Sequence, residues 1–173
     1  MTNSEAWYGV KKAEVEELEK LDENLLRSIL EAPAGTAKEM LYLELGCLPI
    51  GSILKSRRLM FLHHILHQEK SSLIYRFLKA QKDNPAKNDW SETVIDDLST
   101  LDLKMSFEDI EKISKNKLKD LVDKSVKKEA FEHLCAIKER HSKVNEIDHK
   151  SLTMQNYLQP NNLTCEICLH VIC

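Results

Sequence analysis

An all-α fold is predicted for this chain: a single irregular bundle of about six to eight helices followed by a frayed C-terminal tail. Three observations predict it. Only four Gly and four Pro occur among 173 residues, too few turn formers for a sandwich or barrel whose strands reverse every few positions. Apolar residues recur at three- and four-residue steps rather than alternating. Hydrophobic residues at 42% beside charged residues at 31% describe a chain able to bury a core rather than a disordered one. The length suits one domain, drawn as residues 1–158, with 159–173 as an irregular tail.

The first helix is expected over 11–31, from Val15, Leu18, Leu25, Leu26 and Ile29, with Pro33 and Gly35 as its stop. Thr36 and Glu39 have the spacing of a capping box for a short helix through Leu41 and Leu45, which Gly46 ends. Pro49 suits the first turn of a helix carried to about residue 69. That segment is apolar nearly all round, as in a helix central to its domain. Within it Arg57 and His64 fall in an apolar arc, while Lys55 and Arg58 lie toward an edge. Ser71 or Ser72 can cap the next helix, which runs through Leu73, Ile74, Phe77 and Leu78. Ser91 caps another on Val94, Ile95 and Leu98; Ser106 and Asp109 form a weaker capping box before 107–113. A long helix over 115–141 rests on Leu118, Leu121, Val122, Phe131 and Leu134, and a short one over 151–158 completes the set.

No apolar run approaches the ~20 residues of a membrane span, so no membrane partner is expected. The acidic start lacks the basic-then-apolar pattern of a secretory signal. An intracellular location follows, so no disulfide framework is expected. Cys47 and Cys135 then read as small core residues, and the sequon Asn162-Leu163-Thr164 as chance.

The formal net charge of −3 conceals segregation. Residues 1–46 hold 5 basic and 10 acidic groups, 47–82 hold 7 and 1, 83–112 hold 3 and 9, and 113–150 hold 10 and 7. The strongly basic block suits phosphate, unless neighbouring acidic helices neutralise it.

No catalytic constellation is complete. Cys165, Cys168, His170 and Cys173 are four soft ligands in nine residues, and zinc takes four such groups. However, the two halves are almost contiguous and no Gly lets the backbone fold back between them. Zinc is therefore a weak candidate and no cofactor is expected. Asp96-Asp97 follows Val94-Ile95 inside a helical pattern, which suits a solvated helix face rather than a metal-holding polymerase turn. His63, His64 and His67 offer imidazoles, and positions 63 and 67 share a face at i, i+4, but a third ligand on that face and the H-E-x-x-H glutamate are missing, so they read as surface or phosphate-contacting groups. Gly-rich phosphate loops, dinucleotide fingerprints and nucleophile elbows are absent from the sequence.

From Ala6 to Leu163 the chain resembles non-LTR retrotransposon polyproteins that carry a restriction-like endonuclease, in the region just after the reverse-transcriptase palm. The blocks are Trp7-Tyr8-Gly9, LEKLDENLLRSILEAP, TAKEMLYLELGCLPI, SRRLMFLHHIL, HSKV and MQNYLQPNNLT. Gly51 stands where the family usually has Arg. Past Leu163-Thr164 the sequence turns to CEICLHVIC where the family continues into another apolar helix, as in a frame change or truncated gene end. The resemblance implies a helical thumb and linker beside a template–primer duplex, nuclear if functional. Its partners would be RNA or an RNA–DNA duplex, and the palm and endonuclease of the parent polyprotein. The catalytic aspartates of the polymerase would lie outside this chain, so no enzymatic activity of its own is expected. In that setting Lys55, Arg57, Arg58, Arg76 and Lys79 would offer cations to phosphate without reading bases; for Arg57 the favoured alternative is a buried pair with Glu39 or Glu44. The lysines of 115–128 read as a solvated face. The competing reading is a helical protein–protein module without nucleic-acid binding.

Overall fold

The computed structural model describes residues 12–86 and 89–138. Among them are seven helices and no strand: α1 (Lys12–Ile29), α2 (Lys38–Leu45), α3 (Ile50–Leu66), α4 (Leu73–Asp83), α5 (Trp90–Thr100), α6 (Phe107–Lys112) and α7 (Lys115–Lys138). The all-α prediction holds. The expected helix at 151–158, the boundary at 158 and the Cys-rich tail lie outside the described residues.

The chain divides into two compact units, one of Met1–Val15 with Gly51–Glu129, the other of Glu16–Ile50 with Ala130–Cys173. The second unit is organised on α2. Leu41 and Leu43 are fully buried, and Tyr42 and Leu45 nearly so. They cluster with Leu26 of α1 and with Ala130 and Leu134 of α7. Cys47 and Cys135, read from sequence as small core residues, pack against this cluster half-buried. Burial, and after it the Asp22 carboxylate, pushes the Tyr42 phenol far up; the same two causes raise the Cys47 thiol.

Three helices end alike. Glu31, Gly46 and Asp102 adopt left-handed φ values of 49°, 65° and 51°. In each case the next amide, of Ala32, Cys47 or Leu103, donates back to the carbonyl five residues earlier, which satisfies a carbonyl the helix leaves open. Gly46 is the expected stop. Glu31 ends α1 before Pro33 is reached. Beyond it, the Arg27 guanidinium donates to the carbonyls of Pro33 and Thr36, tying the loop to the helix. Thr36 is not the cap of α2: Ala37 holds that position and makes no side-chain capping bond.

In the first unit α3 buries Leu54, Leu59, Leu62 and Ile65, α5 buries Trp90, Val94 and Leu98, and α7 adds Leu118, Val122 and Val126 at four-residue steps. Ser72 caps α4, its hydroxyl accepting from the Tyr75 amide. The capping box of α6 is complete: the Asp109 amide donates to the Ser106 hydroxyl and the Ser106 amide to the Asp109 carboxylate. Ser91 instead lies buried in the first turn of α5, whose cap position is Asp89.

Candidate nucleic-acid interface

The basic block falls on α3 and α4, both in the first unit. On α3 the buried residues Leu54, Arg58, Leu59, Leu62, His63 and Ile65 span half the circumference at about 100° per residue. Arg57 and His64 lie on the other half and are exposed. Arg58, expected at a phosphate, lies in the interior, and Arg57, for which a buried ion pair is the favoured of two expectations, faces outward. The guanidinium of Arg58 donates from Nε and Nη2 to Oδ2 and Oδ1 of Asp97, at 2.6 and 2.9 Å. Both side chains are 10% exposed or less. Fork-to-fork geometry is what makes a desolvated pair tolerable.

Asp97 therefore does not belong to a solvated acidic face; only Asp96 of that pair is exposed. Lys55 is half-buried, its Nζ 2.9 Å from Oε1 of Glu129 on α7. Lys82 pairs with Glu108 at 2.6 Å and lies 5.6 Å from the centre of the Phe107 ring. The Glu108 carboxyl is held down at about 2, first by that Lys82 bond, then by backbone and Ser106 hydrogen bonds.

Arg76 and Lys79 remain. They sit one turn apart on α4, are exposed, and form no ion pair among the described residues. Beside them the helix carries an apolar ridge: Leu73 is 81% exposed, Phe77 60% and Ile74 37%. On α4 itself Leu78 is the buried residue. On α5, Ile95 departs from its expected burial. α4 packs along α5, and an apolar groove of 180 Å³ runs between Phe61, Ile65, Ile74, Phe77, Leu78, Gln81 and Trp90. Phe61 meets Trp90 edge to face, with ring centres 5.8 Å apart. The Oε1 of Gln81 is buried there without a hydrogen-bond partner.

The histidines do not form a ligand set. His63 is buried, its Nε2 3.0 Å from the Ile113 carbonyl, and it stacks on His67 with ring centres 4.0 Å apart. His67 Nδ1 lies 2.9 Å from the His63 carbonyl. His63 is thus a packed core histidine, not a surface group. Among the described residues no cluster of three His, Cys, Asp or Glu side chains fits a metal ion, and no helix is long and apolar enough to cross a membrane. Cys165, Cys168, His170 and Cys173 lie outside the described residues. Comparison of the chain with protein-family models, curated proteins and solved structures returned no match.

Proposed function

We propose that this chain is a non-catalytic helical part of a retroelement reverse-transcriptase polyprotein, and that it holds the phosphate backbone of RNA or an RNA–DNA duplex through the basic side of α4. The observation that carries the reading is the pair Arg76 and Lys79, exposed on one helix and unengaged by carboxylates. Lys70 is also exposed, in the turn before α4. Lys55 and Arg58, already engaged by Glu129 and Asp97, are left with a structural role. The resemblance of 6–163 to the post-palm region supports a place beside a duplex.

Such contacts are sequence-independent and release counterions, so affinity must fall as salt rises. Titration of the chain into a labelled RNA–DNA duplex at several salt concentrations tests this. Affinity should decline linearly on a log–log plot. A salt-independent affinity, or none at low salt from the folded chain, would sink the reading.

A second reading, docking of another protein surface, is favoured by the exposed Leu73, Ile74 and Phe77 beside the groove. Large apolar side chains bared together mark interaction surfaces.

A further inference from the structure

The apolar ridge of α4 has a complement elsewhere in the same chain. Helix α1 exposes Leu21 at 68% and Leu25 at 56%, one turn apart on one face. Glu14 and Glu17 precede them on that face. Over its length α1 carries six carboxylates against three cations. α4 is its opposite in charge and its match in shape: Leu73 and Phe77 are also spaced i, i+4, and the helix carries Arg76, Lys79 and Lys82 against one Asp. An acidic helix with a two-leucine ridge fits a basic helix beside an apolar groove as helix-in-groove recognition requires.

We infer that the occupant of the α4 groove is α1 of a second copy of this chain. The inference rests on the docking reading above, not on nucleic-acid binding. The contact is heterologous: two different surfaces meet, so it either closes reciprocally into a dimer or propagates.

The test is complementation by mixing, with the full chain. One variant, Leu73→Ser with Phe77→Ser, loses the α4 ridge; the other, Leu21→Ser with Leu25→Ser, loses the α1 ridge. All four positions are exposed, so circular dichroism should show both variants folded. Sedimentation of the wild-type chain at micromolar concentration and above should show association. Each variant alone should associate about tenfold more weakly or worse, as expected when central apolar anchors are lost. An equimolar mixture should regain association, because one intact α1 face then meets one intact α4 face.

Three outcomes overturn the inference: a wild-type monomer throughout, an α1 variant that self-associates like wild type, or a mixture no better than its components. If the α1 variant alone keeps wild-type association while the α4 variant loses it, the α4 ridge still docks protein but α1 is not its occupant. The docking reading itself fails only if removing the α4 ridge changes nothing. Arg76 and Lys79 are untouched in both variants, so duplex affinity reports separately on the nucleic-acid reading.

Discussion

The Arg58 and Asp97 side chains, 10% and 7% exposed, have little water to fall back on. Removing one partner leaves the other buried and uncompensated. Arg58→Met or Asp97→Asn should each cost about 3–5 kcal/mol, measured by urea denaturation, whereas Arg58→Met combined with Asp97→Leu should cost less than either alone. Backbone strain gives a second residue-scale prediction. Glu31 occupies the left-handed region at φ 49°, where a Cβ is unfavourable. Glu31→Gly should stabilise by about 0.5–1 kcal/mol, and Asp102→Gly by less, since Asp visits that region more readily.

Acid pH acts at α6. A carboxyl lowered from 4.5 to about 2, as at Glu108, favours the folded state fully above 4.5 and loses that contribution as pH falls toward 2. Asp109 shifts in the same direction, chiefly through the Ser106 amide. Carboxyl NMR titration should place Glu108 near 2, and Lys82→Met should return it toward 4.5. An ordinary Glu108 value in the unmodified chain would contradict the Lys82 contact.

At the scale of elements, legibility followed amphipathicity. Helix positions emerged from spacing alone, and Gly46, Ser72 and the Ser106–Asp109 box announced their ends in sequence. The rotation of α3 did not, because a segment apolar nearly all round has no phase to read. Arg57 and Arg58, or His63 and His64, exchange inside for outside with a turn of about 100°. The orientation of α4 was not legible either. Its apolar stripe is clear, but periodicity says which residues lie together and not what covers them, and Leu73 and Phe77 face solvent. Thr36 misled because its carbonyl serves Arg27 instead of its side chain serving α2. For α2 the burial is unambiguous: Leu43→Ala, at a fully buried position, should cost about 2–5 kcal/mol in the same denaturation experiment.

Across the whole molecule, the segregated charges of the sequence meet one another. Lys55, Arg58 and Lys82 of the basic block are drawn to Glu129, Asp97 and Glu108, and the last two come from the acidic segment that follows it. Folding therefore spends much of the block's charge internally, and this could not be read from segment totals because it depends on which helices adjoin. What is left concentrates on α4, with a basic side and an apolar ridge. The proposed interface is thus narrower than the four cations that sequence nominated and rests on Arg76 and Lys79. The most direct measurement is fluorescence anisotropy of an RNA–DNA duplex at low salt, comparing the wild-type chain with Arg76→Gln/Lys79→Gln and with Lys117→Gln/Lys124→Gln, a control on the exposed lysines of α7. A loss of about tenfold or more is expected in the α4 variant, with a shallower salt dependence, and little change in the control. Equal loss in both, or none in either, would contradict the proposed interface.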